Sequence, residues 1–433
     1  MIVDPVAPEG EIHRGSGRLV DRLRIPLVLA DQGLVSAVNF VSTILLARFL
    51  GIEDFGRFTL AWTVVLFANS LQHAATIQPM LSIGPKHTES EAPAYYGAVI
   101  VQQAVVAAIA FATVLIGTAA SALAFPDWGI GSLAVPLAVA TLAGQTQEFF
   151  RRYLFVRGRT IAAAVNDGTR YLSQLTLLCV VASSSSGGLT VSIALWIIAA
   201  AAILGTAHGV LWLEKLTWST EGLCRTVTRH WHMAKWLLPS ALMGWTTGQA
   251  FMITAGAVLG AATVGMLRAA QAVVGVLHIL LIGMENFAPI HASQIFHRLG
   301  SEALHHYLKR LTWKGGTVVL LLLLLINVNG TTITQLMYGT AYPELSLFLL
   351  GFSILYIGPL LNAVLQFWAL AIESTEVVFA SLLVATTVTA LTAYPLVAFG
   401  GVIGVFAGVF VVEFLRGGIM FTVLNRKASP VTR

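Results

Sequence analysis

Residues 318–326 read Val-Val-Leu-Leu-Leu-Leu-Leu-Leu-Ile, an aliphatic run with Lys314 four positions before it. Comparable runs recur along the 433 residues, of which 57% are hydrophobic and only 10% are charged; the mean hydropathy is +0.81. Soluble domains carry about 25% charged residues, so a water-soluble fold of this length could not cover its surface with so few. The runs therefore predict membrane-spanning helices rather than buried strands.

The hydropathy pattern predicts about twelve spanning helices, and so an all-α polytopic membrane protein. Asn327, Asn329 and Thr331 make the second half of the ninth span polar. The first apolar run begins near Ile25, after a polar segment that carries several Arg, so we expect the first helix itself to direct insertion. Numbered in chain order, the predicted spans are 25–47, 58–80, 94–124, 131–150, 160–182, 189–211, 237–259, 264–290, 315–337, 344–372, 376–397 and 402–424.

The distribution of Lys and Arg predicts the orientation of these spans. With the N-terminus placed in the cytoplasm, 20 of the 25 Lys and Arg residues fall in cytoplasmic segments, as the positive-inside rule requires. Arg48 and Arg57 fall on the opposite side, and Arg170, Arg268 and Arg416 lie inside spans. Basic loops also account for a sequence pI near 9.3 without a nucleic-acid partner. We expect a multi-pass protein of a bacterial cytoplasmic membrane, with both termini cytoplasmic.

A short motif occurs at the same point in each half of the chain. Leu50–Gly56 reads LGIEDFG, and Leu259–Gly265, 209 positions later, reads LGAATVG. Gly permits a tight turn between two spans that lie close together. The repeat predicts two six-helix lobes around a central cavity. The predicted segments are a cytoplasmic N-terminal segment 1–24, an N-lobe 25–211, a cytoplasmic linker 212–236, a C-lobe 237–424 and a cytoplasmic tail 425–433.

The sequence contains no recognisable catalytic or metal-binding motif. There is no GxxxxGK[ST], HExxH or GxSxG pattern, and no Cys/His spacing typical of a metal site. Cys179 and Cys224 alone cannot form a disulfide framework or a tetrahedral thiolate site. The predicted external loops, such as 125–131 and 183–188, are too short to build an active site. We therefore expect neither enzymatic activity nor a bound cofactor or metal.

Four polar residues on the eighth span are the main candidates for a substrate site. Arg268, Gln271, His278 and Glu285 are spaced by 3, 7 and 7 positions. On an unbroken helix the last three share a face and Arg268 lies about 60° aside, in a stripe about 25 Å long. Such a stripe faces either a hydrogen-bonded seam between helices or a water-filled cavity. We favour the cavity, because three of the four side chains can carry charge.

Polar residues on three other spans are further candidates. On the second span, Asn69, Gln72, His73 and Thr76 share one face, for which cavity lining and interhelical hydrogen bonding fit equally well. On the first span, Arg24, Asp31 and Ser42 form a stripe with Asn39 nearby. Asp31 either pairs with Arg24 or couples transport to an ion.

Arg170, near the middle of the fifth span, lies three positions after Asp167. It is either neutralised by that carboxylate or faces the cavity as an anion anchor. Arg offers bidentate hydrogen bonds to phosphate oxygens, and Gln, Asn and His suit sugar hydroxyls, so such a cavity suits a substrate with phosphate and sugar groups. Asp31, Glu285 or His278 could bind a proton or a sodium ion.

Two segments resemble a known family. Leu45–Phe58 reads LLARFLGIEDFGRF and resembles the start of the Wzx-type polysaccharide-biosynthesis flippases, whose first helix typically ends in the pattern LARxLGxxxFGxF. These flippases belong to the multidrug/oligosaccharidyl-lipid/polysaccharide (MOP) superfamily. Glu148–Tyr153, which reads EFFRRY, and Arg157–Arg159, which reads RGR, are also similar to that family.

The resemblance implies that the protein flips a polyprenyl-pyrophosphate-linked oligosaccharide to the outer leaflet by alternating access. It implies a central cavity lined by the first, second, seventh and eighth spans. Arg268 is then the best anchor for pyrophosphate or glycan, and Arg24, Arg48, Arg57 and Arg170 are further candidates. The partners implied are the lipid-linked oligosaccharide, membrane lipids, and polysaccharide polymerase or glycosyltransferase proteins.

Three other functions compete with the flippase. A multidrug or small-solute exporter of the same architecture would have a smaller, more aromatic cavity with carboxylates, and few carboxylates lie at mid-depth. A membrane enzyme that ligates or polymerises glycans would need a sizeable external loop. A scaffold without transport activity would leave the polar stripe of the eighth span unexplained.

Overall fold

In the computed structural model the described residues are 14–124, 130–184, 188–339, 342 and 344–428. Their side chains are described from Gln32 onward, apart from residues 279, 282, 283, 286 and 287. Every regular element in these ranges is helical, which confirms the all-α prediction. The α-helices are α1 Arg14–Leu50, α2 Ile52–Gln72, α3 Gln78–Ile83, α4 Ala92–Ala124, α5 Ala134–Val156, α6 Thr160–Ser184, α7 Val191–Val210, α8 Thr220–Leu259, α9 Ala261–Gly275, α10 His278–Val328, α11 Gly330–Tyr338, α12 Leu345–Leu355, α13 Ile357–Ala371 and α14 Thr375–Ala428.

Two of these helices are hairpins that each supply parts of two spans. Inside α10, Gly300 has φ 79° and ψ −172°, and a Cβ on Gly315 would lie 3.5 Å from the sulfur of Met284, 31 positions earlier. Inside α14, Gly401 has φ 56°, and Lys427 forms an ion pair with Glu376 near the other end of the helix. The chain therefore folds back on itself within α10 and within α14. Counted in this way, the helices account for the twelve predicted spans.

The aliphatic run at 318–326 shows how the surface is adapted to lipid. Val319 and Leu323 are 3% and 4% exposed. Leu320 and Leu324, each one position on and about 100° further around the same helix, are 62% and 60% exposed. An aliphatic face of this kind is unfavourable in water and favourable against acyl chains. Within the described part of the chain, six helical stretches are long and apolar enough to cross a membrane, and one of them, Thr375–Lys427, contains the second hairpin. The chain is a multi-pass membrane protein.

The helices pack as two lobes. Helices α1, α2, α4, α5, α6 and α7 contact one another in the first lobe, and α8, α9, α10, α12, α13 and α14 do so in the second. The lobes meet mainly where α2 packs on α9 and where α8 crosses α2 and α4. The lobe boundaries predicted from the repeat remain predictions.

The repeated glycine motif forms a reciprocal contact between the lobes. Gly51 and Gly260 have nearly the same backbone, φ 76° and ψ 166° against φ 89° and ψ 169°, and each precedes the first turn of a helix. A Cβ on Gly56 would overlap the carbonyl oxygen of Ala261, and one on Gly265 would overlap that of Ile52. Only glycine permits this backbone approach. The two motifs are therefore related by a pseudo-two-fold axis. This end is called the glycine end below.

Segments that the orientation analysis placed on one side meet at the opposite end, called the basic end below. Arg157 pairs with Glu89 at 3.1 Å and with Glu214 at 2.7 Å. Arg159 also pairs with Glu214, at 2.6 Å. Ion pairs thus join three loops that lie far apart in sequence. This agrees with the prediction that these loops share one side of the membrane.

The second part of the predicted linker and the seventh span form one continuous helix. The hydroxyl oxygen of Ser219 accepts a hydrogen bond from the N–H of Gly222 at 3.0 Å and caps the start of α8. From there α8 runs 40 residues to Leu259, about 60 Å and twice the thickness of the hydrocarbon core. At the basic end, His230 of α8 is hydrogen-bonded to the Tyr95 hydroxyl of α4 at 2.9 Å. The first helix of the second lobe is therefore anchored on the first lobe.

Candidate functional site

The polar face of the second span contains a π-turn, His73–Ile77, between α2 and α3. A π-turn disturbs the regular helical hydrogen bonds and is frequent at functional sites. Here the carbonyl of Ala75 accepts a hydrogen bond from the amide of Gln102 on α4, at 3.0 Å. Gln72 is fully buried and donates to the backbone carbonyl of Gln145 on α5, at 2.7 Å. Gln72 thus holds α2 on α5.

The other residues of this face differ in their surroundings. Thr76 is fully buried, and its hydroxyl has no partner among the described residues. Asn69 is half-buried, and its Oδ1 likewise has no partner in the described part of the chain. The Nε2 of His73 lies 3.2 Å from a carboxylate oxygen of Glu148 on α5. The face is therefore partly an interhelical seam, and His73 adjoins a charged group that the sequence analysis did not select.

Arg170 lies inside the first lobe, in a network of buried polar side chains. Its guanidinium donates to the amide oxygen of Gln147 and lies 4.9 Å from the centre of the Tyr171 ring. The amide nitrogen of Gln147 donates to Asn166 at 2.8 Å and to Asp167 at 3.2 Å. The members of this N-lobe network are Gln147, Glu148, Arg151, Asn166, Asp167 and Arg170.

Arg151 belongs to this network although its position predicts a cytoplasmic segment. Its side chain is 12% exposed, and its Nε donates to Asp167, which is fully buried. It also pairs with Glu148 at 3.4 Å. The positive-inside count treats every basic residue near a span as a loop residue, and this one turns back into the lobe to meet a buried carboxylate.

The sequence analysis missed Gln147, Glu148, Arg151 and Asn166, although a signal for them exists. The polar residues 147, 148 and 151 precede the turn at 157–159 by about the same distance as 166, 167 and 170 follow it. Two antiparallel helices joined by a short turn bring such residues side by side. Pairing residues across the turn would therefore have identified the network.

Arg48 and Arg268, from different lobes, adjoin the same corner of the fold. The corner is the end of α11, where Gly339 adopts a left-handed conformation with φ 78°. A Cβ on Gly339 would lie 3.1 Å from the Nε of Arg48. The hydroxyl of Tyr338 donates to the carbonyl of Ala269, the residue after Arg268, at 2.8 Å. Two predicted cations, 220 positions apart in sequence, thus lie near one helix end.

The charges of the three cations near the glycine end are balanced differently. Arg57 pairs with Glu53 at 2.8 Å and with Asp54 at 3.0 Å on its own helix, so its charge is neutralised locally. Arg268 donates to the amide oxygen of Gln271 at 2.9 Å. Among the side chains that the structure describes, neither Arg48 nor Arg268 forms an ion pair with a carboxylate. Arg48 and Arg268 are therefore better placed than Arg57 to bind an anion.

The stripe predicted on the eighth span crosses a break in the helix. Helix α9 ends at Gly275 and α10 begins at His278, and the N–H groups of Leu277 and Leu280 donate three positions back instead of four, at 3.0 Å each. The predicted alignment of Gln271 with His278 assumed an unbroken helix, and this break lies between the two residues. His278 and Glu285 lie seven apart on α10, and both are exposed.

The first span supplies one described candidate. Asn39 is exposed, and its backbone carbonyl accepts a hydrogen bond from the Thr43 hydroxyl at 2.8 Å. Three residues on, Ser42 is buried and accepts from Gln174 of α6 at 3.3 Å. Arg24 and Asp31 lie on α1, but their side chains are outside the described set, so the pairing and coupling hypotheses remain predictions.

Solved structures with this arrangement of helices are transporters. A multidrug resistance MATE family transporter of the MOP superfamily, solved in an inward-facing conformation, matches with a TM-score of 0.70 and 14% identity, over 91% of this chain and 96% of that one. The chain has a MATE-like fold. An outward-facing MATE family structure matches with a TM-score of 0.58 and 14% identity, over 95% of each chain.

In another structure with the MATE-like fold, the polarity of the binding pocket is reversed. This MOP superfamily transporter from Pyrococcus furiosus, for which that polarity suggested a different function, matches with a TM-score of 0.61 and 13% identity, over 96% of each chain. No protein-family model matches the chain, and no curated protein matches it. At these identities the likeness concerns the fold.

Proposed function

We propose that the chain is an alternating-access transporter that moves a polyprenyl-pyrophosphate-linked oligosaccharide across the cytoplasmic membrane for polysaccharide biosynthesis. The observation that carries the proposal is the reciprocal contact of Gly56 with Ala261 and of Gly265 with Ile52. It joins the two lobes through bare backbone at one end. A contact without interlocking side chains can separate at this end while the packing inside each lobe is kept.

The charge distribution supports an inward-facing arrangement. The positive-inside rule favours a cytoplasmic basic end, and the glycine end, where α2 packs on α9, would then lie outside. A transporter closed at its outer end is accessible from the cytoplasm, where lipid-linked precursors are made. The higher TM-score to the inward-facing MATE structure, 0.70 against 0.58, agrees with this arrangement.

The pair Arg48 and Arg268 supports an anionic substrate. Their guanidinium groups come from opposite lobes, and neither has a carboxylate partner among the described side chains. Arg268 lies inside a predicted span, where an uncompensated charge is energetically costly and is therefore a functional candidate, and Arg binds phosphate oxygens in a bidentate manner. Because the two groups belong to different lobes, opening the glycine end would separate them and weaken a shared anion site.

The experiment measures lipid-linked oligosaccharide in each leaflet of cells that lack the gene, together with surface polysaccharide. We expect the intermediate to accumulate in the cytoplasmic leaflet, and wild type to restore export. Arg48→Ala and Arg268→Ala should restore it at least tenfold less well. Arg57→Ala is the matched control, because Arg57 lies at the same end and is neutralised by its own helix.

Unchanged intermediates in the deletion strain would overturn the flippase proposal. The fold likeness to multidrug MATE transporters would then favour a small-solute exporter, to be assayed by drug efflux in the same strains. Equal loss of function in all three Arg variants would overturn the anion site and leave the transport proposal intact.

A further inference from the structure

A deep crevice between α4 and α8, with α2 as its floor, encloses about 1060 Å³. It extends from Glu53 and Arg57, near the glycine end, to Ala75 on the floor and Leu238 on α8. The floor residues 53–75 span about 33 Å of helix, close to the full thickness of the hydrocarbon core. The walls come from both lobes, since α4 belongs to the first and α8 to the second.

The crevice lies on a different face of α2 from Asn69. Its floor includes Val64 and Leu71, which lie on one face of α2. Asn69, the transport candidate on the same helix, is five positions beyond Val64 and therefore about 140° around the helix. The same helix thus presents one face to the crevice and another to the candidate polar site. Asn69 is accordingly not among the described residues that line the crevice.

The crevice is lined mainly by aliphatic side chains, with a few polar groups of uncharged type. Gln145 is fully buried and lines the crevice, and neither atom of its amide has a partner among the described residues. The indole N–H of Trp245, another lining residue, also lacks a partner in that set. Buried polar groups are almost always hydrogen-bonded, so two donors and one acceptor in an apolar crevice indicate a ligand.

Among the described residues that line the crevice, the charged groups lie at one end and neutralise each other. Arg57 pairs with Glu53, at 2.8 Å. Gln145 lies twelve positions from Arg157 at the basic end, about 18 Å along the helix and near mid-depth of the bilayer. A charged headgroup cannot reach that depth at acceptable cost. The chemistry therefore suits a long hydrocarbon with an uncharged carbonyl group.

We propose that this crevice binds a neutral membrane lipid, with its hydrocarbon along α2 and a carbonyl oxygen hydrogen-bonded to Gln145 and Trp245. The ligand class covers ester lipids and isoprenoid quinones, which share a hydrocarbon chain and uncharged carbonyl acceptors. Because the walls belong to different lobes, an occupied crevice bridges them. The proposal does not depend on what the protein transports.

The binding experiment uses a diacylglycerol with a diazirine on one acyl chain, added to the full-length protein in phosphatidylcholine vesicles. After irradiation, labelled peptides are mapped by mass spectrometry. We expect labelling of α2, α4 and α8 at lining residues, and competition by unlabelled dioleoylglycerol or by a long-chain quinone. The more potent of these two competitors identifies the source of the ligand. Competition only by polyprenyl phosphate would overturn the neutral-lipid assignment.

A matched pair of variants locates the site. Ala110 lines the crevice, and Ala112, two positions on, is exposed and does not. Ala110→Trp should reduce labelling at least fivefold and Ala112→Trp should not. Thr113→Trp, at a second lining position, repeats the test should Ala110→Trp fail to fold. Equal labelling of the lining and control variants would overturn the proposal.

Gln145→Leu tests the polar contact separately. It should weaken competition by the better ligand about fivefold, which corresponds to the loss of about one hydrogen bond. Unchanged competition would show that the Gln145 amide does not bind the ligand. Since no transport is measured, failure here leaves the flippase proposal untouched, and the reverse also holds.

Discussion

Gln145 and Gln147 are two positions apart on α5, and both are fully buried. Their amides meet different surroundings. Gln147 contacts Asn166, Asp167 and Arg170, whereas the amide of Gln145 has no partner among the described residues. At the scale of the residue, burial alone therefore does not tell whether a polar side chain stabilises the fold.

Replacing each glutamine by leucine should separate the two roles. Gln147→Leu removes the partner of a buried guanidinium, which costs about 1–3 kcal/mol or more. Gln145→Leu removes a polar group that no described residue satisfies, so stability should be unchanged or slightly higher. The measurement is the apparent melting temperature of each purified variant in the same detergent. Equal losses in the two variants would contradict this assignment.

Arg170 illustrates what the sequence left open at this scale. Its spacing from Asp167 permitted both a structural pair and an anion anchor. The structure shows that its guanidinium contacts Gln147, a residue on another helix. Spacing along one helix cannot reveal a partner on the next, although the symmetric polar positions around the turn at 157–159 could have indicated one.

At the scale of the element, the glycine contact between α2 and α9 gives a direct prediction. Gly56→Ala and Gly265→Ala would each place a methyl group against a backbone carbonyl of the other lobe. Relieving such overlap costs about 1–3 kcal/mol, which shifts a two-state equilibrium roughly 5- to 150-fold. We expect the glycine end to open, measured as a longer distance between spin labels at Ala119 and Thr332.

Gly248→Ala is the control for that prediction. Gly248 lies inside α8, and nothing approaches within 4 Å of an added Cβ. Alanine should therefore leave the label distance unchanged and stabilise the helix by roughly 0.5–1 kcal/mol. A similar distance distribution in all three variants would show that the glycine end is not a gate.

The docking of α8 on α4 should depend on pH. Burial, with the charge of Arg229 adding to it, lowers the pKa of His230 to about 4. The groups that face it are the Tyr95 hydroxyl, Arg229, and His87, which stacks on Tyr95 with ring centres 4.3 Å apart. A released, exposed histidine has a pKa of about 6.5. The released form therefore takes up a proton at a pH at which the docked form does not.

Docking should thus be complete above about pH 6.5 and weaken as the pH falls toward 4, by an amount on the order of 3 kcal/mol. Hydrogen–deuterium exchange of residues 220–236, corrected for the intrinsic rate, would show this as faster exchange at pH 4.5 than at pH 7. His232→Gln should leave the effect intact, because His232 is exposed. His230→Phe should abolish the pH effect. A pH effect that persists in this variant would show that a group other than His230 causes it.

At the scale of the whole molecule, the two ends should lie on opposite sides of the membrane. Cys224 is exposed on the N-terminal part of α8, near the basic end. With Cys179 replaced by Ser, a membrane-impermeant maleimide should label Cys224 in inside-out vesicles and not in intact cells. A Glu344→Cys variant without the native cysteines should give the opposite result. Labelling of Cys224 from outside intact cells would reverse the orientation and make the described state outward-facing.

The sequence by itself determined the membrane class, the helical fold and which loops share a side. These properties depend on hydrophobic length and on the count of basic residues, which are read along one dimension of the chain. The repeat at Gly51 and Gly260 also followed from the sequence, because a tight turn requires a local residue type. The MATE-like fold fits these predictions.

Only the tertiary structure decided what each polar residue contacts. Gly56 meets Ala261, Arg151 turns inward to Asp167, and a break in the helix separates Gln271 from His278. None of these follows from helical spacing, because each depends on where a neighbouring helix lies or on whether the helix continues. The crevice has the same origin: its walls come from two lobes, and no single segment of the sequence encodes it.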